Sequence, residues 1–140
     1  MKQIVFTIKG EPKVKGRPRF TKTGHAYTPD STRSYETLVK LGYLNSARGY
    51  KFTQPVRVTI RAYLKPPKGK SKKVVEDMIS GHILPTKKPD ADNIAKIVLD
   101  GLNKVAWEDD TQVVDMMVVK RYAEDPLVAV TIEGIDALRC

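Results

Sequence analysis

The chain has 140 residues, of which 41% are hydrophobic and 29% charged. That length and composition fit one domain, 1–140, with a modest core of its own, and argue against global disorder. The single cysteine, Cys140, excludes an internal disulfide and any Cys-based zinc site, and two histidines are too few for a His-rich one.

In chain order, residues 2–8 (KQIVFTI) are rich in β-branched and aromatic residues and predict a first strand. The same opening holds too short an apolar stretch for a signal peptide, and no run approaches the roughly 18 apolar residues of a membrane span. A cytoplasmic protein with no membrane partner is therefore expected. Residues 9–29 read as a loop punctuated by Gly10, Pro12, Gly16, Pro18, Gly24 and Pro29. About twenty residues without a core pattern is long for a compact domain, and such loops are often functional. Asp30 or Ser31 caps a helix running to about Arg48, with Tyr35, Leu38, Val39 and Gly42 on one face. Val56–Leu64 alternates apolar with polar and predicts a half-buried strand. A basic Pro/Gly turn, Lys65–Lys73, leads to a short helix at Val74–Ser80 and a loop at His82–Pro89.

A stronger helix is predicted over Asn93–Val105. Ile94, Ile97, Val98, Leu102 and Val105 mark its apolar face, while Lys96, Asp100 and Asn103 form a narrow polar stripe. Two strands follow, Gln112–Tyr122 and Leu127–Glu133. The run MMVV predicts that the first is covered on both faces and central, and the turn AEDP predicts a hairpin between them. The order points to an α+β fold: a small mixed or antiparallel sheet with helices packed on it.

Charge is divided unevenly. Residues 1–73 hold 18 Lys/Arg against 3 Asp/Glu, and residues 74–140 hold 7 against 13, within a net charge of +9. A basic front half is the electrostatic footprint of a polyanion-binding protein, although a solvated surface serving solubility has the same composition. Lys13, Lys15, Arg17 and Arg19 recur at every second residue, so in an extended loop they share one face and can meet successive phosphates. Phe20 and Tyr27 nearby can stack on an unpaired base or simply anchor the loop. Lys22, Lys87 and Lys88 extend the candidate DNA contacts. Trp107 reads as a core anchor, and His82 as a weak water-positioning candidate.

The acidic residues gather in KKPDADNIAKIVLDGLNKVAWEDDTQVVD. Asp90 and Asp92, two apart before the helix, can converge on one cation. Lys96 and Asp100 lie four and eight residues beyond Asp92, along one helical line. One of Asp109 and Asp110 can return beside the pair if the chain doubles back. Three carboxylates without His or Cys suit Mg²⁺, or Mn²⁺ in its place, far better than zinc. Taken singly, Asp92 is a helix cap, Lys96 an i±4 ion-pair partner and Asp109–Asp110 a turn. Only their conjunction points to a metal–phosphate site. Two other readings share these residues: a non-catalytic DNA-binding module, and a Mg²⁺ enzyme for small phosphates. The latter lacks any Gly-rich phosphate loop.

The strings Pro89-Asp90-Ala91-Asp92-Asn93, Lys96, Asp100, Leu102 and Trp107-Glu108-Asp109-Asp110-Thr111-Gln112-Val113 resemble the RusA family of Holliday-junction endonucleases. Lys15-Gly16-Arg17-Pro18-Arg19-Phe20 is similar to the basic loop of its phage-type and Gram-positive members. The resemblance implies a homodimeric, Mg²⁺- or Mn²⁺-dependent nuclease that resolves four-way DNA junctions by two symmetric nicks. It maps the metal-binding, catalytic aspartates onto Asp90, Asp92 and Asp110 and the essential lysine onto Lys96. Asp100 and Asp109 then stand beside them as supporting residues, Asp100 orienting Lys96. A two-fold dimer also matches the two-fold symmetry of the junction.

Overall fold

A computed structural model describes residues 2–13, 19–20, 26–27 and 30–136, with side chains described at 2–13 and 35–136. Four strands, β1 (Gln3–Lys9), β4 (Val56–Leu64), β5 (Val113–Tyr122) and β6 (Leu127–Gly134), form a mixed sheet in the order β1-β6-β4-β5. Two short strands, β2 (Arg19–Phe20) and β3 (Ala26–Tyr27), pair separately within the long loop. Three helices complete the fold: α1 (Asp30–Ala47), α2 (Lys72–Ile79) and α3 (Ala91–Leu102). This is the α+β architecture expected.

The strands follow from strict alternation. Ile4, Phe6 and Ile8 of β1 are buried, as are Val56, Val58, Ile60, Ala62 and Leu64 of β4 and Val128, Val130 and Ile132 of β6. These side chains share one face of the sheet, and α1 and α3 cover it. Tyr35, Val39, Tyr43 and Ala47 of α1, spaced by four, supply one buried stripe. Ile94, Ile97, Val98 and Leu102 of α3 supply the other. Each fully buried aliphatic or aromatic side chain contributes about 1.5–3 kcal/mol of transfer free energy. Leu38 does not share the α1 stripe as expected; it stands 50% exposed on the outer side.

Two glycines set how closely the layers approach. A Cβ at Gly101 would lie 2.8 Å from the Val39 Cβ and 2.9 Å from the Glu36 carbonyl oxygen, so α3 crosses α1 almost backbone to backbone. Gly42 similarly admits the Phe6 ring, 2.8 Å from where its Cβ would be. A smaller cluster of Leu64, Met78 and Tyr122 holds α2 against the far end of β4 and β5.

Two expectations are overturned by the strand order. β5 is an edge strand, not a central one. It pairs with β4 alone among the described strands, in parallel, and a bulge at its start places Asp115 opposite Arg57 directly after Val113 opposite Val56. The bulge leaves Val114 58% exposed. Nor do β5 and β6 form a hairpin. β6 lies between β1 and β4, antiparallel to both, so residues 123–126 cross the end of β4. The Ala123 N–H donates to the Leu64 carbonyl at 2.9 Å on the way. The parallel β4–β5 pair needs a long crossover, and α2 and α3 provide it.

Candidate active site

α3 carries much of the acidic string because its two faces are chemically separate. Ile94, Ile97, Val98 and Leu102 turn into the core, which leaves Asp92, Lys96 and Asp100 along the opposite side. Asp92 and Lys96 are exposed and Asp100 is half-buried. Asp90 is the N-cap residue, with extended backbone at φ −69°, ψ 149°. Its carbonyl accepts the Ile94 N–H at 3.0 Å, but its carboxylate makes no capping bond. The Asp90 and Asp92 side chains therefore both stand exposed at the mouth of α3, beside first-turn N–H groups that the Asp90 carboxylate leaves uncapped. Lys96 makes no ion pair with any described residue, one helical turn beyond Asp92.

The approach to this mouth is basic. Lys87 and Lys88 precede it and both are exposed. The Lys87 ammonium lies over the Tyr122 ring, 5.9 Å from its centroid, and the Lys87 carbonyl accepts the Lys120 ammonium at 2.7 Å. The loop is thus tied to the C-terminal end of β5.

Asp109 and Asp110 belong to a different construction. After Asn103 the chain turns sharply: Lys104 takes a φ of 73°, and its N–H donates to the Trp107 carbonyl at 2.8 Å. Trp107 is fully buried, as its role of core anchor requires, and its indole N–H donates to Asn103 Oδ1 at 2.8 Å. The Glu108 N–H donates to Gln112 Oε1 at 3.0 Å, while Gln112 Nε2 donates to the carbonyls of Phe52 (3.1 Å) and Gln54 (3.2 Å). Glu108 also binds Lys51 (2.8 Å) and Lys104 (3.1 Å), hydrogen bonds that hold its carboxyl below the usual carboxylate range. Asp110 opens a single 3₁₀ turn, Asp110–Gln112, and Asp109 Oδ2 accepts the Thr111 hydroxyl at 3.3 Å.

This network fixes Asp109 and Asp110 at the C-terminal end of α3, whereas Asp90 and Asp92 occupy its N-terminal end. A twelve-residue helix is about 18 Å long. Among the described residues, no three His, Cys, Asp or Glu side chains come together as a metal site. One copy of the chain thus leaves Asp90 and Asp92 as neighbours at the N-terminal end of α3 and holds Asp110 at the other end.

The remaining candidates are placed as follows. Lys13 is exposed at the start of the long loop. Lys15, Arg17 and Lys22 lie outside the described residues, and Arg19 is described only as backbone in β2. Phe20 and Tyr27 likewise have only their backbone described, in β2 and β3. His82 Nδ1 pairs with Ser80 Oγ at 2.7 Å, at the end of α2. Sequence reasoning missed the bracing roles of Asn103, Gln112 and Glu108. Gln112 had a signal in the Asp-Asp-x-Gln-Val string, but its partners are carbonyls some sixty positions away, beyond local pattern.

The chain is thus a two-layer α+β domain that presents two open carboxylates and neighbouring lysines at the mouth of one helix. The profile of the endodeoxyribonuclease RusA family matches residues 9–133, and the chain belongs to that family. It is also similar to the uncharacterized protein YqaN of Bacillus subtilis (strain 168), 38% identical over 139 residues, which span 96% of this chain and 98% of that protein. Among the described residues, no helix is long and apolar enough to cross a membrane.

Proposed function

We propose that the protein is a divalent-metal-dependent endodeoxyribonuclease that resolves four-way (Holliday) DNA junctions by paired symmetric nicks, in recombination and repair, and that it works as a homodimer. The observation that carries this reading, beside family membership, is the pair of uncapped, exposed aspartates at the mouth of α3. Their chemistry fits the expected cofactor. Mg²⁺ takes oxygen ligands and commonly uses one or two carboxylates, leaving its other positions to water and phosphate oxygens. Asp90 and Asp92 would hold Mg²⁺, or Mn²⁺ in its place. When bound, the cation would supply charge neutralisation at the phosphate and a more acidic water.

The chain's own residues do the rest. Lys87 and Lys88 attract the backbone and hold it against the mouth of α3, and the exposed lysines and arginines of the first half extend that grip. Lys96 places a positive charge where the phosphoryl group gains negative charge during displacement. Asp100, one turn further on along the same face, makes no ion pair with Lys96 in this structure and would orient it only once DNA is bound, and Asp109 would support its neighbour Asp110. Because Asp110 sits at the opposite end of α3 in one copy, it would act as third ligand only at the site of the partner copy. Two such composite sites, related by a two-fold axis, suit two equivalent strands of a junction.

One observation favours the alternative, a non-catalytic protein that only binds branched DNA: among the described residues, a single copy gathers no three carboxylates. Labelled four-way junction and linear duplex, each incubated with Mg²⁺ and either wild type or Asp90→Asn, separate the two. Symmetric junction cuts by wild type and intact binding without cutting by Asp90→Asn are expected. Binding by both proteins with no difference in cleavage would leave the binding module as the correct reading.

A further inference from the structure

We propose that two copies of this chain join through β5, edge to edge and antiparallel, with Val118 opposite Val118 of the second copy. This rests on the homodimer reading above and adds its interface.

β5 is ten residues long, and no described strand covers its outer edge. Such an edge presents a row of unpaired N–H and C=O groups and is normally blunted by charge or proline along its length. Here the charges stand only at the ends. Asp115 lies near the start, Lys120 and Arg121 near the finish, and Met116, Met117, Val118 and Val119 between them. Val114 and Met117 are 58% and 57% exposed and Met116 is 38% exposed, a concentration of large apolar side chains on one free strand.

Symmetry narrows the arrangements. A two-fold axis normal to the sheet keeps both helix layers on one side, so opposed residues must point to the same face. The face away from the helices carries Asp115, Met117, Val119 and Arg121, paired in β4 with Arg57, Thr59, Arg61 and Tyr63. Read against itself in reverse, the series Asp-Met-Val-Arg is its own complement. With Val118 on the axis, Asp115 meets Arg121 of the second copy and Met117 meets Val119. Centring on Met117 would set Asp115 against Val119, and centring on Val119 would set Arg121 against Met117. On this face, either shift opposes a charge to an aliphatic side chain at both ends; the helix-side face does not discriminate, since Lys120 meets Val114, Met116 or Val118 in the three registers. Asp115 already binds Arg57 through Oδ2, at 3.1 and 3.2 Å, so Arg121 of the second copy would add a second cation to the same carboxylate. Pairing β5 with the other edge, β1, is heterologous and would build open chains instead of closed dimers.

The test uses the full chain with Cys140→Ser and one new cysteine. Val118→Cys should cross-link to itself under mild oxidation, since opposed residues of an antiparallel pair lie within disulfide range. Val114→Cys should not, because its two copies would be displaced by eight residues, about 27 Å. Sedimentation of the uncross-linked protein accompanies this. A dimer that cross-links at 118 and not at 114 supports the interface. A dimer that fails to cross-link at 118 overturns it and leaves the homodimer reading standing, whereas a monomer at all concentrations overturns both. Should Val118→Cys not fold, Met117→Glu decides, since that side chain is exposed: self-association weakened about tenfold or more supports the pairing, and an unchanged dissociation constant overturns it. Junction cleavage by the same preparations judges the nuclease reading separately.

Discussion

The indole N–H of Trp107 donates to Asn103 Oδ1 at 2.8 Å, which locks the segment bearing Asp109 and Asp110 onto the C-terminal end of the helix that Asp90 opens. Trp107→Phe keeps most of the buried ring but orphans the Asn103 oxygen. We expect a loss of about 1–3 kcal/mol in unfolding free energy, measured by urea titration. Junction cleavage should fall further than stability explains, because the acidic turn loses its tether while Asp90 and Asp92 keep theirs.

Gly101→Ala should be among the most damaging small substitutions in the chain. Its methyl would stand 2.8 Å from the Val39 Cβ, with the Glu36 carbonyl oxygen 2.9 Å away, so α1 and α3 must separate. Overpacking of this kind costs about 1–3 kcal/mol despite the gain in helix propensity. The same change at Gly69, where no heavy atom lies within 4 Å, meets no clash and only the strain of its φ of 84°. A comparison of the two by thermal unfolding separates packing from backbone strain.

Acidification should weaken the brace between the α3 terminus and the Lys51 segment. Hydrogen bonds from Lys51 and Lys104 lower the Glu108 pKa in the folded chain. A depressed folded pKa contributes stability that is present above the unfolded value and lost as pH falls from there through the folded one. Glu108→Gln should therefore flatten that part of the stability–pH curve and match wild type at low pH. The effect is small, since the carboxylate is fully exposed.

Lys88→Ala should weaken junction binding about equally for all sequences and reduce the slope of log affinity against log salt by about one. Binding titrations at several salt concentrations test this, and an unchanged slope would remove Lys88 from the contact.

Much of the fold was legible because local periodicity survives folding. β4 spans Val56–Leu64 as its alternation required, and α1 starts at Asp30, within a residue of its expected beginning, although Asp30 and Ser31 lie inside the helix and not at a cap before it. The polar stripe of Asp92, Lys96 and Asp100 was equally visible, since it follows from the helical repeat. What failed concerned partners. The run MMVV has the composition of a doubly covered strand, but composition cannot say which strand lies beside it, and β5 stands at the edge. The AEDP turn looked like a hairpin because a short link is compatible with pairing; that link steps across the end of β4 instead. In the site, Asp90 and Asp92 were legible because two residues cannot part company. Asp110 was not, because its position depends on how Asn103, Trp107 and Gln112 fold the intervening turn.

The central claim is that the cutting centre is shared: Asp90 and Asp92 from one copy, Asp110 from the other. Co-expression of Asp90→Asn and Asp110→Asn chains under separate affinity tags, with purification of the mixed dimer, tests it most directly. Each variant alone should bind the four-way junction and leave it uncut. The mixed dimer holds one intact composite site and should nick a single strand in the presence of Mg²⁺. A mixed dimer as inactive as its parents would contradict the shared centre.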